Sequence, residues 1–201
     1  MKGENDYMEN NKIIKDETIK NLVRSYLDID PDYELMDARV DFVFKRIFTA
    51  DDIQSKSALI AFINSVMEFE NDEKIVEVLD LKVVNAEIPV NKKTQKKSVF
   101  DIRAKDVRGR QIIVEMQKDS TPGFRKRSQH IISKAYASQE ISGSDYDRLE
   151  KCYLICITNF DMIAGTEEYI TDYRYRDREG RDLSDDETIV FLDLSKIGVV
   201  G

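Results

Sequence analysis

Two carboxylates and an amide, Asp101, Glu115 and Gln117, stand in a pattern that can do chemistry. The stretch 99–117, VFDIRAKDVRGRQIIVEMQ, alternates apolar and polar residues on both sides of Arg108 and Gly109. That period of two predicts two antiparallel strands joined by a tight turn. On the first strand Phe100, Ile102 and Ala104 share one face and Asp101, Arg103 and Lys105 the other. On the second, Ile112, Val114 and Met116 take the core side, with Ile113, Glu115 and Gln117 opposite. A hairpin centred on residue 108 sets Asp101 across from Glu115, their β-carbons about 4.5–5.5 Å apart. Like charges at that distance need something positive between them. A divalent cation with oxygen ligands, Mg²⁺ or Mn²⁺, meets the need. So do salt bridges to Arg103 or Lys105 on an ordinary solvated face. Gln117 faces the same way as Glu115, within reach of a metal-bound water or a phosphate oxygen. An acid on one strand and acid-x-amide on the next is a layout for metal-assisted phosphodiester hydrolysis: carboxylates hold the metal, the metal lowers the pKa of a bound water, and the third side chain orients water or phosphate.

Charge distribution fits a polyanionic substrate. Residues 92–127 hold twelve Lys/Arg against four Asp/Glu, a net of +8; since the whole chain is −8, the remainder carries −16. The overall acidity argues against indiscriminate nucleic-acid binding, while the basic segment frames the carboxylate hairpin. A run such as 92–97 also serves as a plain solvated loop. The single histidine, His130, excludes a poly-histidine metal site. Cys152 and Cys156, four apart in an apolar run, read as buried free thiols and not as a disulfide or zinc set. The N-terminus has no signal-peptide apolar core and no stretch is long enough to span a bilayer, so the expected compartment is the cytoplasm, with no membrane partner.

The elements that must position the hairpin follow from periodicity. Residues 1–15 read as a disordered arm, and 16–27 as a short amphipathic helix leading through a linker to residue 40. A second helix is expected over 41–48, capped by Asp41, with Phe44, Ile47 and Phe48 as its apolar stripe. The strongest helix opens at Ser55 or Ser57 and carries Leu59, Phe62, Ile63, Val66 and Met67, with Asn64 as a hydrogen-bonding core residue. Strand character fills 74–90. After the turn cluster 119–123 a helix is expected from Phe124 to Ser142, with Gly143 as its cap. Its first turn holds Arg125, Lys126 and Arg127, the wrong end for cations on dipole grounds, which suggests phosphate contact or simply solvated side chains. Residues 151–160 read as a buried strand, 163–178 as a short acidic helix or loop, 178–181 as a tight turn and 188–194 as a last strand. The sum is an α/β sandwich on a mixed sheet, hairpin at the centre.

Taken together, DFVFKRIF (41–48), LIAFINSVM (59–67), FDIRAKDVRGRQIIVEMQ (100–117), the Phe124/Arg127 helix start, Tyr136 with Gln139, and GSDYDRL (143–149) resemble the PD-(D/E)XK nuclease family transposases, the Rpn-type recombination-promoting nucleases. The resemblance runs from residue 41 to about 194. It implies an α/β restriction-endonuclease-like core, a mixed central sheet flanked by helices, in a domain spanning 41–201. It implies an Mg²⁺-dependent DNA endonuclease, with Mn²⁺ as a possible substitute. Asp101 and Glu115 match the metal-binding acids, the Met116 main-chain carbonyl a third metal contact, and Gln117 the lysine position. Asp41 matches an acidic residue of the first core helix, or is an N-cap. Tyr136 and Gln139 match supporting polar positions of the later helix, or Tyr136 is a core-packing residue. Arg125 and Arg127, with Lys93 and Lys97, would contact DNA. A double-strand cut needs two sites, which suggests a homodimer. Two departures stand out. Gln117 is neutral where the wider superfamily has lysine, and the chain stops just after its last strand where relatives continue with helices. Both leave open the alternative of a weak or inactive relative that binds DNA or protein.

Overall fold

The computed structural model describes residues 44, 47–48, 50, 52–87, 99–139 and 145–197, the segments 82–87 and 99–101 by their backbone alone. Residues 38–199 fall in one compact unit. The elements in order are α1 (Ile53–Met67), β1 (Val78–Glu87), β2 (Val99–Asp106), β3 (Gln111–Gln117), α2 (Phe124–Ala137), a 3₁₀ turn (Tyr146–Arg148), β4 (Cys152–Thr158), β5 (Ile170–Arg176) and β6 (Asp182–Asp193). They build one six-stranded sheet ordered β1-β2-β3-β4-β6-β5. β1, β2 and β3 run antiparallel, β4 lies parallel to β3, β6 parallel to β4, and β5 antiparallel to β6. This mixed α/β sheet with its flanking helices is the restriction-endonuclease-like core that the motifs implied.

The hairpin has the expected register. Ile102 faces Val114, Arg103 faces Ile113, Ala104 faces Ile112 and Lys105 faces Gln111. Carried one residue further, that register places the backbone of Asp101 opposite Glu115. Gly109 closes the turn at φ +88°, a left-handed conformation open to glycine, and its N–H donates to the Asp106 carbonyl at 3.0 Å. A β-carbon there would also sit 3.0 Å from Glu150 Cγ.

The sheet is covered on both faces. Against one face, Phe44, Leu59, Ile63 and Val66 pack on Ile102, Ala104, Ile112, Val114, Ile155, Ile157 and Val190. Against the other, Phe124, Ile131, Ile132 and Ala135 of α2 pack on Ile113, Leu154, Cys156 and Phe191. Ile112, Ile113 and Val114 are fully buried, each worth about 1.5–3 kcal/mol. The side of the hairpin read as an ordinary solvated face is therefore interior at β3, because α2 lies over it. A strand buried on both faces is held rigidly, and β3 carries Glu115.

Several local expectations are met and several are corrected. Asn64 anchors its neighbourhood as anticipated, donating to the Ile75 carbonyl at 2.9 Å and accepting from the Ile75 N–H at 2.8 Å. Helix α1 is capped by Asp52, whose carboxylate accepts from the Ser55 N–H at 2.7 Å, so the helix starts earlier than Ser55. Phe44, Ile47 and Phe48 are helical, but only the i, i+4 pair of phenylalanines packs inward on Phe62; Ile47 is exposed. Helix α2 ends at Ala137 with Ser138 as its cap, short of the expected Ser142, and Gly143 lies outside the described residues. The segment expected to be an acidic helix or loop contains the edge strand β5, and β6 begins at Asp182. The turn between them is the expected one: Asp177 accepts from the N–H groups of Glu179 and Arg181 at 2.8 and 3.0 Å. The arm 1–15, the helix 16–27 and the basic loop 91–97 lie outside the described residues.

Candidate active site

The parallel strands end together: Gln117, Thr158 and Asp193 are register neighbours at the carboxyl ends of β3, β4 and β6. Crevices outside such ends are the usual ligand sites of α/β sheets. Glu115 sits there, 2 % exposed. Its partner comes from neither Arg103 nor Lys105. Arg103 donates to Gln111 Oε1 at 2.6 Å, toward the turn, and Lys105 is exposed. The Glu115 carboxylate is instead paired through Oε1 with the guanidinium of Arg127, from the first turn of α2. This answers the puzzle of cations at the wrong end of a helix: the unfavourable dipole term, about 0.3–1 kcal/mol, is offset by a buried carboxylate. Arg127 also reaches Gln117 Oε1 at 3.4 Å and lies 5.7 Å from the centre of the Phe124 ring. Gln117 turns its amide nitrogen to the Asp119 carbonyl at 2.9 Å, which leaves its oxygen for Arg127.

The second carboxylate oxygen of Glu115, Oε2, is buried and has no hydrogen-bond partner. An unmet buried acceptor costs about 1–3 kcal/mol, more if charged, unless a donor or cation meets it. A hard cation with oxygen ligands fits that atom, so the donor chemistry suits Mg²⁺ or Mn²⁺. Among the described side chains no three His, Cys, Asp or Glu gather as a metal site. The side chain of Asp101, and all of Asp41, Lys93 and Lys97, lie outside those described.

Other expected site residues go elsewhere. Arg125 donates to the Met162 carbonyl and ties α2 to the loop after β4. The Met116 side chain packs at the edge of the α1-side core, its backbone paired in register with Ile157. Tyr136 and Gln139 are not brought to Glu115. Gln139 donates to the Glu150 carbonyl at 2.7 Å and accepts from the Glu150 N–H at 2.8 Å, beside Cys152, which pairs with the first residue of β3. Tyr136 donates to Asp186 at 3.2 Å; burial, then the neighbouring carboxylate, raises its pKa above the ordinary tyrosine value. Both act at the opposite end of the strand, because a helix of 14 residues carries its two ends to opposite ends of the sheet. A polar cavity of about 510 Å³, lined by Arg103, Lys105, Gln111, Gln139, Arg148 and Glu150, also lies at that turn end, away from Glu115. Both cysteines are buried and free, and burial pushes their thiols up to about 12, so neither supplies a thiolate.

The sequence profile of the PD-(D/E)XK nuclease family transposases matches residues 38–200. The chain belongs to this family. No curated protein and no solved structure matches it. Membership in this family agrees with the mixed sheet, and it points to a nuclease or transposition role. Among the described residues no helix is long and apolar enough to cross a membrane.

The contact that sequence reasoning missed is Arg127 on Glu115. A signal for it existed. Phe124, Ser128, Ile131 and Ala135 are the buried stripe of α2, and Arg127 stands three residues after the first and four before the third. A half-exposed cation at the rim of a helix's buried stripe can reach an anion held beneath the helix.

Proposed function

We propose that this protein is a divalent-metal-dependent DNA endonuclease that hydrolyses phosphodiester bonds in the movement or recombination of DNA. The observation that carries the reading is Glu115: a carboxylate buried under α2, one oxygen held by Arg127 and the other unmet. Glu115 and Asp101 would hold Mg²⁺ or Mn²⁺, with the Met116 carbonyl as a third contact. The metal, when bound, supplies a water of lowered pKa and neutralises charge on the phosphate. The chain's own part is to orient. β3 fixes Glu115, Arg127 presents a positive charge beside it, and the basic segment holds the DNA backbone through Lys93, Lys97 and the exposed Lys126. In the reaction a water oxygen bonds to phosphorus, the bond to one ester oxygen breaks, and that oxygen leaves with a proton.

The experiment is cleavage of supercoiled plasmid with Mg²⁺, Mn²⁺, Ca²⁺ or EDTA, using wild type, Asp101→Ala and Glu115→Ala. Nicking or linearisation with Mg²⁺ or Mn²⁺ that disappears with EDTA and in both variants is the expected result. Cleavage that survives Glu115→Ala refutes the assignment of the site. A folded wild type that retains DNA but never cuts it leaves the fold as a binding module, the reading that a neutral Gln117 would favour.

A further inference from the structure

At the end of β3 a neutral amide stands two residues after the buried acid, and a guanidinium stands over both. The three restraints on that guanidinium come from two elements: Glu115 and Gln117 from β3, and the Phe124 ring from its own helix. Yet its side chain is 46 % exposed while that of Glu115 is 3 % exposed. A cation pinned from behind and open in front is preorganised to meet an anion arriving from solvent. Gln117 is oriented for this: its nitrogen is held by the Asp119 carbonyl and its oxygen accepts from Arg127.

We infer that Arg127 is the catalytic cation of this site, supplying from α2 the positive charge that the strand position of Gln117 lacks, and that Gln117 is a positioning residue acting through Arg127. The inference rests on the nuclease reading above. The guanidinium would bind a non-bridging oxygen of the scissile phosphate and stabilise the charge that grows there as water attacks. A guanidinium suits the task because it stays protonated at any working pH and bonds through several N–H groups at once, so it can keep Glu115 while engaging phosphate.

The charge argument gives two signatures in opposite directions. Arg127 sits against the acid that would hold the metal, so it repels a divalent cation. Removing its charge should therefore leave Mn²⁺ affinity equal or tighter while cleavage collapses. A residue that merely shaped the carboxylate would weaken both together. The test compares wild type, Arg127→Gln, Arg127→Lys, Gln117→Ala and the double variant Arg127→Gln/Gln117→Lys. Calorimetry reads Mn²⁺ binding, plasmid nicking reads the reaction, and thermal melting confirms that each variant is folded.

Arg127→Gln is expected to cut about a hundredfold more slowly or worse, as for loss of one preorganised transition-state donor. Gln117→Ala should lose about tenfold, the lower range for a supporting partner. The lysine in the double variant should restore at least about tenfold over Arg127→Gln, because the charge returns from the strand side. Arg127→Lys, which keeps the charge, should fall between wild type and Arg127→Gln. The inference is overturned if Arg127→Gln cuts like wild type, if it weakens Mn²⁺ binding about tenfold (the mark of a supporting contact to a metal ligand), or if the double variant shows no recovery. A folded wild type that binds Mn²⁺ and never cuts sinks the nuclease reading and this inference with it. A cutting wild type beside an equally active Arg127→Gln sinks the inference alone.

Discussion

Strand β3 has an arginine–carboxylate pair at each end, and the two are built to opposite plans. At the turn end, Asp106 and Arg110 are both buried, their side chains 0 % and 7 % exposed. Asp106 accepts from the N–H groups of Arg108 and Arg110 at 3.0 and 2.8 Å and from Arg110 Nε at 2.7 Å. Arg110 adds a bond to the Glu73 carbonyl at 2.6 Å and lies over the Phe69 ring. Asp106 has both of its oxygens engaged and Arg110 bonds on two sides. At the other end Glu115 keeps an unmet oxygen and Arg127 stays half in solvent. The same two residue types make a lock in one place and an open site in the other. The difference is saturation: a pair whose bonding capacity is used up can only hold structure, whereas an unsaturated one retains the ability to bind something else.

The comparison predicts unequal costs. Asp106→Ala leaves a buried guanidinium without its counter-charge and should destabilise the fold by about 3–5 kcal/mol, read from urea unfolding. An unchanged midpoint would remove the distinction at once. Glu115→Gln should cost no more than about 1 kcal/mol, since its partner is half exposed and one oxygen is already unmatched. In the same variant the nicking rate should drop more than about a hundredfold, beyond the loss typical of a mere supporting contact to a metal ligand. A stability loss equal to that of Asp106→Ala would make both ends structural and take Glu115 out of the candidate site.

A third pair, Lys151 with Asp185 at 2.5 Å, calibrates the lower end. It lies more in solvent than the Asp106 pair, so it is worth about 0–1 kcal/mol. Its bond to Lys151 holds the Asp185 carboxyl below the usual carboxylate range. A lowered folded-state pKa means the contribution is present above the unfolded pKa, about 3.9, and is lost as pH falls through the lower folded value. The small difference in melting temperature between wild type and Asp185→Asn should therefore be present at neutral pH and vanish in acid. A difference that persists below that range would assign it to packing instead of charge.

How much of this was legible in the sequence depends on what each feature needs. The hairpin register, the inward faces of Ile102, Ala104, Ile112 and Val114, the buried strand β4, the Asn64 anchor and the two inert cysteines all follow from local period and residue type, and each was readable. β5 was missed although Tyr173, Arg174, Tyr175 and Arg176 alternate with period two, because an edge strand pairs on one side only and its exposed tyrosines among charges read as a loop. The start of α1 was misplaced by three to five residues because an aspartate and a serine both make good caps, and only the backbone geometry chooses Asp52.

The sequence by itself determined the hairpin register that sets the backbone of Asp101 across from Glu115 inside a basic segment, since strand alternation and turn chemistry act over a few residues. It also determined membership of the family, whose profile spans 38–200. Only the tertiary structure decided that Glu115 lies under α2, that Arg127 and not Arg103 or Lys105 is its partner, and that Tyr136 and Gln139 serve the far end of the sheet. Those choices depend on where α2 lands on β3 and β4. That landing is set by the burial of Phe124, Ile131, Ile132 and Ala135 against residues far away in sequence, and no local pattern encodes it.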